Sequence, residues 1–167
     1  MKKALLTIIL FFGLCNIVSA QQQRWIKDGL YHIITIDTVP TLLTPLPPHS
    51  TAIFFSKLFE DYNGDEYNRI IIDTSEFVPL ILEHAPTAEQ QTEHKKKLLL
   101  SLTPEASQLL KAFTAKHVMQ KVALVVDGEA LTQHKIREAI TSGQLQITRC
   151  NDNACERLLI KLRDNVK

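Results

Sequence analysis

The chain has 167 residues, with 19 Lys and Arg against 18 Asp and Glu, so its formal charge is close to zero. A nucleic-acid binder shows a basic excess or stripe that neutralises phosphates, and this composition carries none. The length suits one domain with a core of its own.

The N-terminus reads as an export leader. Lys2 and Lys3 precede an apolar run from Ala4 to Leu14, too short to span a bilayer, and Val18-Ser19-Ala20 supplies the small residues a signal peptidase reads. Cleavage is expected after Ala20, giving a periplasmic or secreted product with no membrane span in the mature chain. A lipoprotein would need a small residue before Cys15, where Leu14 stands. Loss of residues 1–20 removes Cys15 and leaves Cys150 and Cys155, an even pair in an oxidising compartment.

After the leader, Leu30 to Asp37 has the aromatic and β-branched content of a strand. Pro40 to Ser50 is too proline-rich for a helix or a central strand. Ala52 to Glu60 fits either a short helix or a strand. Asp61 to Asn68 contains Asn63-Gly64 between aromatics, a tight-turn composition. Its Asp61-x-Asn63-x-Asp65 spacing opens like a calcium loop, but Glu66 and Ile72 occupy the positions that require Gly and Glu. Arg69 to Thr74 and Phe77 to Glu83 are strand-like, with Pro79 placing the second at an edge or a bulge. Residues 86–96 read as polar loop and Lys97 to Leu102 as strand-like, and Lys95-Lys96-Lys97, flanked by Glu89 and Glu93, reads as a solvated basic run before a strand rather than a phosphate site.

The clearest helix follows. Thr103 caps it, Pro104 suits the first helical position, Glu105 complements the dipole, and Ala106, Leu109, Leu110 and Phe113 repeat at helical spacing. Val122 to Val126 is a fully apolar strand. Asp127 stands at its end, where an enzyme places a catalytic acid; yet Asp127-Gly128 lies between two short strands, and Gly takes positive φ freely while Asp tolerates it, so the pair is read as a hairpin turn. A strand over Glu129 to Thr132 and a half-buried one over Gln144 to Thr148 come next. The last helix, about 153–165, aligns Cys155, Leu158, Leu159, Leu162 and Val166 on one stripe.

No catalytic, cofactor or metal constellation emerges. His134 lacks partners at ligand spacing, and with Cys150 and Cys155 it would still leave zinc one ligand short. Cys150 and Cys155 bracket a strand-to-helix link. A reactive thiol at a helix N-terminus is the redox alternative, but Cys155 lies on the apolar stripe, which favours a structural disulfide contributing about 2 kcal/mol at most. The element order and its hairpins predict an α+β domain with a mainly antiparallel sheet and helices on one face.

From Leu98 onward the chain resembles the head subdomain of the large periplasmic domain of SecD and SecDF, accessory proteins of protein export. The resemblance is carried by Leu102-Thr103-Pro104-Glu105, Phe113-Thr114 and Lys116, Ala123 to Gly128, Ile136-Arg137-Glu138, Ile140, Gly143 and Gln146-Ile147-Thr148. It implies a ferredoxin-like antiparallel sheet, a turn role for Asp127 and Gly128, no catalytic residue, and contact with polypeptide or an envelope protein. Met119, His134 and Arg149 depart from the family's usual Gly, Pro and Gly, and the cysteine pair is foreign to its pattern. The expected organisation is a leader over 1–20, a β-rich part over 21–97 and the head-like region over 98–167 of the same domain. The expected function is a non-enzymatic binding module without cofactor or nucleic acid. The alternatives are a dedicated subunit of one envelope complex and a thiol-redox protein.

Overall fold

The computed structural model describes residues 26–37, 45–56, 69–93, 95–163 and 165–166, with backbone only at residues 37, 91, 95, 148–155 and 157. The leader over 1–20 with Cys15, and the Asp61-x-Asn63-x-Asp65 segment, lie outside the described residues. So do the side chains of Cys150, Cys155 and Thr148.

The described elements are β1 (Gly29–Asp37), β2 (Ser50–Phe54), β3 (Arg69–Pro79), β4 (Thr87–Thr92), β5 (Lys95–Ser101), α1 (Pro104–Lys116), β6 (Lys121–Val126), β7 (Glu129–Lys135), β8 (Gln144–Asn151) and α2 (Asp152–Arg163). The class is α+β, and every ladder between these strands is antiparallel. The strands divide into a five-stranded sheet, β2-β3-β1-β6-β7, and a three-stranded sheet, β4-β5-β8.

The five-stranded sheet curls on itself. Past the end of β2, Phe55 bridges Ala130, and the Ser56 N–H donates to the Ala130 carbonyl at 2.7 Å. This ties the outer strands β2 and β7 together, as in a small barrel. Alternation along each strand then sorts side chains into two cores. Tyr31, Ile33, Ile53, Ile70, Ile72, Ala123, Val125 and Ala130 point inside the ring. Leu30, Val78, Val122, Leu124 and Val126 point outward. There they meet Leu98, Leu100 and Ile147 of the second sheet, Leu110 and Phe113 of α1, and Leu158 and Leu162 of α2. Val122 to Val126 is apolar at every position because it is buried on both faces. Each such side chain contributes about 1.5–3 kcal/mol when fully buried.

Several sequence expectations change in detail. The strands expected over 69–74 and 77–83 are one long strand over Arg69–Pro79, and residues 80–83 lie past its end. Irregular register between β1 and β3, at Tyr31/Ile33 and Ile33/Thr35, lets so long a strand follow the curl. The segment expected as polar loop contains β4, whose side chains are mostly exposed and which is held by backbone pairing to β5. The basic run is part of β5 rather than a segment before it, and Lys97 pairs with Glu89 across the ladder at 2.8 Å. β7 runs on to Lys135 and β8 to Asn151.

The N-terminal strands are integral to the fold. β1 lies between β3 and β6, so residues 29–37 fill the centre of a sheet shared with the C-terminal half.

Candidate functional site

The residues singled out in the sequence gather around α1 and the loop that follows β7. Thr103 caps α1, its hydroxyl accepting from the Ala106 N–H at 3.4 Å, and Pro104 occupies the first turn. Phe113 and Thr114 lie on the buried side of the helix. The Thr114 hydroxyl donates to the Leu110 carbonyl at 2.7 Å and accepts from the Ile140 N–H at 2.9 Å, fastening the loop to the helix. Ile136 is buried and shares two main-chain bonds with the turn after α1: the Met119 N–H donates to its carbonyl at 2.8 Å, and its own N–H donates to the Gln120 carbonyl at 3.0 Å. Ile140 packs against the main core, Ile147 is buried within it, and Arg137 is exposed.

Gly143 closes the loop. Its φ is +67°, its carbonyl accepts from the Leu102 N–H at 3.0 Å, and an added Cβ would lie 2.3 Å from the Ser107 hydroxyl. Only glycine satisfies both the backbone and the space. Thr103, Phe113, Thr114, Ile136, Ile140 and Gly143 therefore form one buckle, which clasps residues 136–143 over α1.

Asp127 and Gly128, at φ 52° and 77°, make the two-residue turn of the β6–β7 hairpin. The turn is also anchored. The Asp127 N–H donates to Asp28 Oδ1 at 2.9 Å, and its carboxylate forms an ion pair with Lys161 of α2. Asp28 Oδ2 accepts from Asn165 Nδ2 at 3.0 Å, so one carboxylate joins the chain before β1, the hairpin and the end of α2. With its carboxylate on Lys161, Asp127 acts as a tie between elements. His134 is exposed on β7, with Nε2 3.1 Å from the Thr132 hydroxyl. Among the described residues no group of His, Cys, Asp and Glu is arranged to hold a metal ion.

One polar cluster carries no signal in the sequence. His117, at the end of α1, is 5% exposed; its Nε2 is 2.7 Å from Glu76 Oε1 and its Nδ1 is 2.6 Å from Gln120 Oε1. Lys116 Nζ reaches the same Glu76 oxygen at 2.7 Å. The ring of His32 stacks on His117 with centroids 4.5 Å apart, and Phe113 tilts against it at 4.6 Å. The lysine and then the histidine, both bonded to Glu76, hold its carboxyl below the usual range. Burial, then the neighbouring His117, lowers the pKa of His32. The partners come from β1, β3 and α1, 40 and more residues apart, so no local spacing announces them.

The family described as SecDF, P1 head subdomain, matches residues 70–165. The chain belongs to this family. The match starts in β3, upstream of Leu98, where the resemblance is first legible, and takes in the whole buckle. Solved SecDF structures are similar as well. SecDF in its super-membrane-facing form aligns at 26% identity over 55% of this chain and 13% of that one, with a TM-score of 0.43. A structure described as a membrane component SecDF that enhances protein export aligns at 28% identity, over 50% and 39%, with a TM-score of 0.43. SecDF of Thermus thermophilus, described as a translocon-associated membrane protein, aligns at 14% identity, over 93% and 34%, with a TM-score of 0.40. The chain thus spans well under half the length of each SecDF. No curated protein matches. None of the helices among the described residues is long and apolar enough to cross a membrane.

Proposed function

We propose that this SecDF P1 head subdomain protein is an extracytoplasmic, non-enzymatic binding module that holds extended polypeptide. The observation that carries the reading is the family match over residues 70–165. The SecDF relatives are described as enhancing protein export and as translocon-associated, which supports a polypeptide ligand and a periplasmic or secreted location.

The strand β4 offers a suitable surface. It is an outer strand of its sheet, pairs with β5 on one side, and exposes Thr87, Ala88, Glu89 and Gln90. An extended peptide added along such an edge is held by main-chain hydrogen bonds, which are indifferent to most side chains. Tolerance of sequence is what a module serving many exported chains requires. Titration with a panel of labelled, unstructured peptides is expected to give saturable binding that a proline-rich competitor fails to displace. No saturation across the panel overturns the reading. The cysteine pair enters as a structural disulfide between the end of β8 and the start of α2.

A further inference from the structure

The cluster at the end of α1 does more than fasten a helix. His117 presents both ring nitrogens to oxygen acceptors, Glu76 Oε1 at 2.7 Å and Gln120 Oε1 at 2.6 Å. The face of the ring is covered by a second imidazole, His32, at 4.5 Å and 23° between planes. A proton on His32 places a positive charge against that buried ring, and His117 and Lys116 both oppose it.

We propose that His32 and His117, clamped by Glu76, form a proton-operated latch between α1 and the five-stranded sheet, which opens when His32 takes up a proton against the buried His117 ring. The charged and titratable groups facing the pair are Asp73 and Glu76 from β3 and Lys116 from α1. His134 of β7 is opposite the same Val122 that pairs with His32. Asp73 and Glu76 favour a charge on His32, and Lys116 opposes it. Burial and His117 both lower the pKa of His32, in the same sense.

What the latch controls is the turn over residues 117–120. His117 begins it, the Gln120 N–H donates to the His117 carbonyl at 3.0 Å, and Met119 and Gln120 carry the main-chain bonds to Ile136. Val118 and Met119 are 40% and 62% exposed. Loss of the His117 clamp releases this apolar turn and the entry to the buckle while the rest of the core stays packed.

Imidazole NMR and amide hydrogen exchange on the whole protein between pH 7.5 and 5 test the latch. The expected result is a His32 midpoint below 6.5 and a loss of protection of tenfold or more at Met119, Gln120 and Ile136 on acidification, after correction for intrinsic rates. Amides of β5 and β8 serve as the internal control and stay protected. His32→Asn is expected to abolish the local acid step, and His117→Gln to move the His32 midpoint up. A His32 midpoint at or above 6.5, protection at residues 119–136 that is indifferent to pH, or loss that spreads equally to β5 and β8, would overturn the proposal. The first two readouts use the unaltered protein, so a variant that fails to fold does not rescue it.

Discussion

Gly143 and Thr114 show why single positions in this chain are constrained. Gly143→Ala adds a Cβ into the Ser107 side chain at a positive φ, and is expected to cost about 1–3 kcal/mol, measured as a lowered denaturant midpoint with an unchanged slope. Thr114→Val keeps the shape but leaves the Ile140 N–H without its acceptor, a loss of about 1–3 kcal/mol if that group stays buried. The same assay reads it, and a value near zero would mean that the loop swings out to water. Legibility at this scale was uneven. Gly143 and Thr114 are legible only through the resemblance, and their physical reasons, a left-handed backbone and a two-way hydroxyl, need three dimensions. The Glu76–His117–His32 cluster was invisible, because its members lie on separate elements and no periodicity links them.

Among the elements, α1 is the most legible: Thr103 accepts from the Ala106 N–H, Pro104 opens the first turn, and Ala106, Leu110 and Phe113 of the apolar repeat are buried, while Leu109 is exposed. Thr103→Ala is expected to cost about 1 kcal/mol in the same denaturation assay. The hairpin at Asp127-Gly128 is equally plain, because Asp and Gly together suit the type I′ turn, which needs positive φ at both positions. β4 was missed for the opposite reason. TAEQQT carries no apolar alternation, and the strand exists because β5 supplies its hydrogen-bond partners. The merging of two expected strands into β3 has a similar cause: Ser75-Glu76 reads as a break, yet the strand runs through it with Asp73 accepting from the Ser75 N–H at 2.8 Å. At the β8–α2 junction, Cys150 and Cys155 are expected as a disulfide. Intact mass of the protein purified without reductant, before and after reduction, should differ by two hydrogens, whereas two freely alkylated thiols would remove the bridge.

For the molecule as a whole, acid is expected to destabilise the fold in two steps. His32 has a folded pKa below 6.5, so the unfolded chain binds the proton better, and stability falls as the pH drops from 6.5 towards that lower value. Glu76, held down by Lys116 and then His117, and Asp73, held down by the Ser75 hydroxyl, contribute stability that is present above their ordinary values of 4.5 and 3.8 and is lost as the pH falls through their folded values. The denaturation midpoint should be level from pH 8 to 7, decline below 6.5, and decline again below 4.5. Glu76→Gln should flatten part of the lower step; a midpoint constant from pH 7 to 4 would contradict the assignment.

The antiparallel α+β class was legible from element order alone, because hairpins and one clear helix leave few alternatives. The division into two sheets, one curled through the Phe55–Ala130 bridge, depends on contacts between strands more than 70 residues apart, which no local pattern encodes. The central claim, that this head-like fold holds extended chains, is tested most directly by crosslinking in the exporting cell. The protein carrying an affinity tag would be captured from the cell envelope and its partners identified by mass spectrometry. The account predicts many exported proteins, each substoichiometric, crosslinked through residues of β4. A single stoichiometric companion, or no exported chains at all, would contradict it.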